Sequence, residues 1–176
     1  MPFTPFHFGP GSLIKATMPK QFSFTVFVFS QVLIDVESLY FLVHGEWPVH
    51  RFFHTYTGAT LIALASYWGG RPICGIALAV LGGKFVLSKS GLAQAIRLIS
   101  RTAAASGAVI GAYSHVALDS IMHGDMRPFA PFSDANGLFD FLSPGELHVY
   151  CLVAGLVGGV GMGFWWLVWK TEEEDR

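Results

Sequence analysis

The chain has 176 residues, of which 52% are hydrophobic and only 13% are charged, whereas an ordinary soluble domain carries roughly 25% charged residues. The length predicts a single domain over residues 1–176, and the mean hydropathy of +0.50 indicates a membrane protein. A formal net charge of −1 argues against nucleic acid as a partner, because no basic surface is available to neutralise phosphates.

Four segments of the chain are long enough to cross a bilayer, which needs about 20 apolar residues. In chain order they are 22–43, 48–68, 102–123 and 146–169. The last of them carries glycines at positions 155, 159 and 163. That spacing repeats a small residue on every fourth position and predicts a surface against which another helix packs closely.

Segment 72–87 is harder to assign, because it is short, interrupted by glycines and carries Lys84. If it crossed the membrane as a separate span, the polar residues near the ends of the four spans would be divided between the two sides. We therefore expect 72–101 to be re-entrant or interfacial. The predicted fold class is an all-α integral membrane protein, a bundle of four spanning helices plus short re-entrant or interfacial helices.

Basic residues are unevenly divided between the two ends of this predicted bundle. The end with the polar clusters receives Arg51 and Arg127, and the opposite end receives Lys15, Lys20, Arg71, Arg101 and Lys170. Because cytoplasmic loops of membrane proteins carry an excess of Lys and Arg, we expect the C-terminal tail in the cytoplasm. The polar clusters then lie on the periplasmic or extracellular side.

The stretch SHVALDSIMHGD, residues 114–125, places His115, Asp119 and His123 four residues apart in a helical pattern. Residues at that spacing share one side of a helix. His50 and His54, in HRFFH, have the same spacing and would also share one side of a helix. Imidazoles and carboxylates are ligands of zinc and related ions, and two of them one helical turn apart can reach the same ion.

Asp35 and Glu37 add acidic groups to an otherwise apolar span, where ionisable side chains are costly and usually functional. Each polar residue alone could be a packing contact or, for Arg51 and Arg127, an interfacial anchor. Their coincidence at one end of the bundle favours a metal site instead. A carboxylate of Glu37 or Asp125 could then accept a proton as general base.

The motifs MPFTPFHFG, LIDVES, HRFFHT and HVALDSIMHGDMRPFAPF, in this order over roughly residues 1–140, resemble a family of membrane-bound metal-dependent hydrolases of the LexA-regulated inner-membrane type. More distantly, the order His, Asp, His, then His-x-x-x-Asp is similar to the zinc-dependent phospholipase C and P1-type nuclease group. The resemblance implies a bacterial inner-membrane location.

The same resemblance implies a set of metal ligands: His7, Asp35, His54, His115 and Asp119, with His50 also implicated. LIDVES departs from the proline-and-acid-rich stretch of many relatives, so either Asp35 or Glu37 is the acidic ligand. The more distant group has further zinc ligands, for which this chain offers His123 and Glu146. One or two divalent ions, most simply zinc, are expected.

Together these features predict a metal-dependent hydrolase that cleaves an ester or phosphoester bond of a lipid or lipid-linked substrate. Zinc with an open coordination position lowers the pKa of bound water to about 7. Arg51 and Arg127 are expected to bind a phosphate, and His123 is expected to contact substrate. Two alternatives are a non-catalytic metal-stabilised scaffold or regulator and a carrier of metal ions or protons.

Overall fold

The computed structural model describes residues 5–83 and 86–174, with side chains up to 167. Lys84 and the side chain of Lys170, both used in the sequence analysis, lie outside that description. All regular elements in these ranges are helical. They are a 3₁₀ turn Pro5–His7, α1 Phe8–Thr17, α2 Phe24–Val43, α3 Tyr56–Ala65, a π turn Ser66–Gly70, α4 Arg71–Leu81, α5 Lys89–Arg97, α6 Arg101–Met122 and α7 Pro144–Glu174.

Three helical stretches are long and apolar enough to cross a membrane: Phe24–Val43, Tyr56–Leu81 and Pro144–Leu167. They confirm the all-helical prediction and are compatible with a membrane protein. The predicted span at 102–123 corresponds to α6, which is not among the three. Gly and Ser occur along α6 together with His115 and Asp119, and these residues lower its hydropathy. A four-span bundle therefore stays a prediction.

The bounds predicted for the second span, 48–68, are wrong at both ends. Pro48 lies in a loop, and the helix begins at Tyr56, where the Thr55 hydroxyl accepts a hydrogen bond from the backbone N–H of Gly58 at 2.9 Å. The helix then runs through the π turn directly into α4. Residues 72–81 therefore belong to the same helical stretch as α3, and the π turn just before Pro72 changes its hydrogen-bond register. The expectation that 72–101 is re-entrant or interfacial stays a prediction.

Helices α2 and α6 pack closely along their length, and small residues make this possible. A Cβ atom at Gly107 would clash with the Ser23 carbonyl, and one at Gly111 would clash with the Ser30 hydroxyl. At the start of the contact, the Ser23 N–H donates to the Ala103 carbonyl at 3.0 Å. This approach brings the second half of α2 against the second half of α6, where the polar residues lie.

Helices α1 and α7 also meet through glycine, although not the glycine stripe that the sequence predicts. Gly155 lies against Gly9, and a Cβ atom at Gly158 would clash with Ser12 and Leu13. Gly159 and Gly163, by contrast, face open space. The predicted packing surface is therefore correct at Gly155 and wrong at Gly159 and Gly163. The α7 glycines that contact α1, Gly155 and Gly158, are three residues apart instead of four.

We predict that Gly158→Val forces α1 away from α7, whereas Gly159→Val leaves the helix pair intact. Overpacking of a tight contact costs about 1–3 kcal/mol, so Gly158→Val should lower the thermal midpoint of the protein in detergent. Gly159→Val has the same β-branched side chain in the same helix and is the matched control. Equal midpoints for the two variants would contradict the observed packing of α7.

Candidate metal centre

Four buried side chains converge where α2, α6 and the start of α3 meet. They are Asp35, His54, His115 and Asp119, and one ligand atom of each lies within 4.8 Å of the others. Asp35 comes from α2, and His115 and Asp119 occupy one side of α6, as their four-residue spacing predicts. His54 directly precedes the Thr55 cap of α3. This cluster can hold a metal ion.

The separations between these atoms match a tetrahedral site. Ligands about 2.0–2.1 Å from zinc stand about 3.3 Å apart at the corners of a tetrahedron. His115 Nε2 lies 3.1 Å from Asp119 Oδ2 and 3.3 Å from Asp35 Oδ1. His54 Nε2 lies 3.6 Å from Asp119 Oδ2 and 3.8 Å from Asp35 Oδ1. The side chains therefore surround a space of the right size for a small divalent cation.

The surroundings of His115 are those of a metal ligand. Its Nδ1 lies 2.6 Å from Gln31 Oε1, which can only accept, so Nδ1 carries a proton and Nε2 points into the cluster. His115 Nε2 is buried and has no hydrogen-bond partner. An imidazole held in this way by a neighbouring acceptor is the usual arrangement of a metal ligand.

Glu37 lies behind His54 at a distance too long for a hydrogen bond, and the Ser38 hydroxyl lies 3.3 Å from His54 Nε2. Glu37 Oε2 lies 3.6 Å from His54 Nδ1 and accepts a hydrogen bond from the Phe53 N–H at 2.8 Å. Asp35 approaches the opposite nitrogen of the same ring. The sequence left open whether Asp35 or Glu37 is the acidic ligand. In the structure Asp35 belongs to the cluster, and Glu37 lies behind His54.

His7 reaches the cluster from the N-terminal 3₁₀ turn. Its Nε2 lies 3.5 Å from Asp119 Oδ1, on the carboxylate oxygen opposite to the one that faces His54 and His115. Both of its ring nitrogens are buried without a hydrogen-bond partner, which is costly for a polar group. Burial lowers the pKa of His7 to about 4, so the ring is neutral and can act as a ligand.

A second group consists of His50, His123 and Asp125, whose ligand atoms also lie within 4.8 Å of one another. His50 Nδ1 lies 2.9 Å from Asp125 Oδ1, and Asp125 Oδ2 accepts from the N–H groups of Val49 and His50 at 3.2 and 3.3 Å. The His50 ring stacks on His123 and lies 4.8 Å from the His54 ring, centroid to centroid. The structure thus places His50 beside the first cluster rather than within it.

A cleft of about 470 Å³ opens next to this second group, and its wall includes His50, Asp125, Arg51 and Arg127. Arg51 Nη2 donates to Glu46 Oε2 at 2.9 Å, and Arg127 Nη1 donates to Asp134 Oδ1 at 3.2 Å. Both arginines therefore lie at one cleft, as the sequence analysis expects of a binding pair, although each already has a carboxylate partner.

Gln31 is the functional candidate that the sequence analysis missed. It lies four residues before Asp35 on α2 and is buried. Its amide N–H donates to the Ser114 hydroxyl at 3.3 Å, which fixes the carbonyl oxygen toward His115. The available signal was a strongly polar side chain one helical turn from Asp35 in an apolar span.

We predict that His115→Ala and Asp119→Asn abolish metal retention, because each removes an atom at the centre of the cluster. His123→Ala should retain the metal. Its metal affinity should fall by at most about 10–100-fold, as expected when a residue contacts the ligands without binding the metal itself. The measurement is metal content per purified protein, with thermal unfolding as a check of folding. His44→Ala, an exposed loop histidine, is the control, and full occupancy in both cluster variants would contradict the site.

We also predict that Gln31→Leu weakens metal affinity by about 10–100-fold, because the ring of His115 loses the acceptor that fixes its tautomer. Gln31→Glu retains an acceptor oxygen and should bind more tightly than Gln31→Leu. Competition with a chromophoric chelator measures both affinities. Gln94→Leu, on the exposed surface of α5, is the matched control. An unchanged affinity in Gln31→Leu would show that His115 does not depend on this hydrogen bond.

No protein-family model, curated protein or solved structure matches the chain. The resemblance to membrane-bound metal-dependent hydrolases accordingly stays a prediction from the motifs, and the case for a metal centre rests on the geometry of the described residues.

Proposed function

We propose that this protein is a membrane hydrolase that uses a divalent metal, most simply zinc, to cleave an ester or phosphoester bond of a lipid or lipid-linked substrate. The observation that carries the proposal is the adjacency of two features. A buried His/Asp cluster of metal-binding geometry lies beside a cleft lined by cationic and proton-accepting side chains.

The metal proposal follows from the donor set. Two imidazoles and two carboxylates suit zinc, which prefers nitrogen and oxygen ligands in a tetrahedral arrangement. When bound, such an ion would supply an activated water at neutral pH and polarise the scissile group, provided that a water takes a further coordination position beside these ligands. The position of His7 on the second oxygen of Asp119 supports a second ion as well, so one or two ions remain part of the proposal.

Substrate binding is assigned to Arg51, Arg127 and His123. The carboxylates that pair with the arginines, Glu46 and Asp134, are exposed, and exposed ion pairs contribute little stability. A phosphate entering the cleft can therefore compete for the guanidinium groups, which bind such an anion through paired hydrogen bonds. This chemistry favours a phosphoester over a carboxylic ester.

Proton transfer is assigned to Asp125 acting through His50. In hydrolysis the oxygen of water bonds to phosphorus or to the acyl carbon, the ester bond breaks, and one proton of the water passes to the departing alkoxide oxygen. Asp125 holds the His50 ring from Nδ1, which leaves Nε2 to carry that proton. Glu37, tied to the Phe53 N–H and facing His54, is assigned the role of positioning this ligand.

We predict that Asp125→Asn lowers turnover by about 10²–10⁴-fold while leaving the metal content of the first cluster unchanged. The assay presents phospholipids and carboxylic esters to the purified protein in detergent, with and without a chelator. Asp140→Asn, which removes an exposed carboxylate from the same loop, should retain most of the activity. Metal binding without turnover on any substrate would overturn the hydrolase proposal and support the scaffold alternative.

A further inference from the structure

The chain between α6 and α7, residues 123–143, is a long loop without helix or strand. Loops of this length within a compact domain are usually functional. Several hydrogen bonds hold it in place. The Tyr56 N–H donates to the Pro128 carbonyl at 2.8 Å, the Asp140 N–H donates to the Ile121 carbonyl at 3.1 Å, and Asn136 Nδ2 donates to the Ser120 carbonyl at 2.9 Å. The exposed side chains of this loop therefore occupy defined positions.

Among the exposed aromatic side chains of this loop, Phe129 is 52% exposed and Phe132 is 88% exposed. They border a groove of about 470 Å³ whose wall carries no charged residue; it is lined by Tyr56, Thr57, Thr60, Leu61, Tyr113, Pro128, Phe129 and Phe132. Exposed apolar patches of this kind mark surfaces that contact a protein or a membrane.

The groove is continuous with the outer surface of a membrane-span candidate. Tyr56 is the first residue of the apolar stretch Tyr56–Leu81, and its ring lies 5.3 Å from Phe129 and 5.8 Å from Tyr113, centroid to centroid. Leu61, one turn further along α3, is 51% exposed. Aromatic side chains are enriched where a span leaves the hydrocarbon core and enters the headgroup layer, which is the place that this row of rings occupies.

We infer that the loop segment 128–132 lies in the interfacial layer of the same membrane, and that the groove beside it takes an acyl chain of a bilayer lipid. The absence of charge from the lining suits a hydrocarbon chain, and the tyrosines provide hydroxyl groups at the level of the lipid ester. This inference depends on the membrane spans and goes beyond the proposed hydrolysis.

The same segment separates the groove from the cleft beside the candidate metal centre. Pro128, Phe129 and Phe132 line the groove, whereas Ala130 and Pro131 line the cleft together with His50 and Arg51. A loop seated at interfacial depth places the mouth of that cleft among lipid headgroups. If the proposed function holds, the substrate enters from the lipid layer without passing through bulk water.

Spin labels on introduced cysteines test this inference directly. In a background with Cys74→Ala and Cys151→Ala, which removes the two buried native thiols, Phe132→Cys reports on the groove. Val160→Cys, which is 75% exposed within the candidate span Pro144–Leu167, provides a reference away from the groove, and Ala135→Cys provides a reference on the outer part of the same loop. The labelled proteins are placed in vesicles of phosphatidylcholine and phosphatidylglycerol. Collisions with oxygen, which concentrates in the bilayer, are compared with collisions with a water-soluble nickel chelate.

The expected result is that the label at position 132 collides with oxygen far more than with the nickel chelate, as the label at position 160 does, whereas the label at 135 favours nickel. A nickel-accessible label at 132 would overturn the inference by placing the segment in water. A label at 132 protected from both reagents would overturn it by indicating a protein partner or a second copy of the chain. None of these results depends on activity, so this test and the hydrolase assay can fail independently.

Discussion

The interactions of one buried carboxylate, Asp119, connect most of the structure. One of its oxygens faces His54 and His115, and the other faces His7. These histidines come from the N-terminal 3₁₀ turn, the loop before α3 and the middle of α6, so a single side chain brings three parts of the chain together. A buried anion without compensation is very costly. The surrounding imidazoles, or cations bound among them, are therefore a condition for this fold.

The close approach of helices supplies the rest of the arrangement. Where α2 meets α6, Gly107 and Gly111 let the two backbones come near enough for Asp35 to reach His115. Larger residues at those positions would separate the helices, and a separation of one or two ångströms would take Asp35 out of the range of a shared ion. Small residues in this bundle thus determine how closely the His and Asp side chains of the cluster approach one another.

The ligands could be predicted from sequence because regular helical spacing carries the information. His115 and Asp119 lie one turn apart on a helix, and the acidic group at Asp35 stands out in an apolar segment. The partnership of His50 with Asp125 could not be predicted, since 75 positions separate them and no local pattern relates them.

The continuity of α3 with α4 could not be predicted either, because Gly69, Gly70 and Pro72 suggest a break in the helix, whereas a π turn connects the two helices. Which glycines of α7 touch α1 depends on the rotation of that helix, which a periodic pattern leaves undetermined.

The contact between α1 and α7 has a consequence for the order in which the protein matures. His7 precedes α1 to α7 in the chain, yet Gly9 and Ser12, just after it, contact Gly155 and Gly158 of α7, which is synthesised last of the described helices. The position of His7 consequently becomes fixed only after α7 has been synthesised and has packed against α1. The nascent chain can assemble the α2 and α6 half of the cluster earlier, but the full set of imidazoles around Asp119 forms only after α7 is in place. A metal ion that depended on His7 would therefore be held only after α7 has packed against α1.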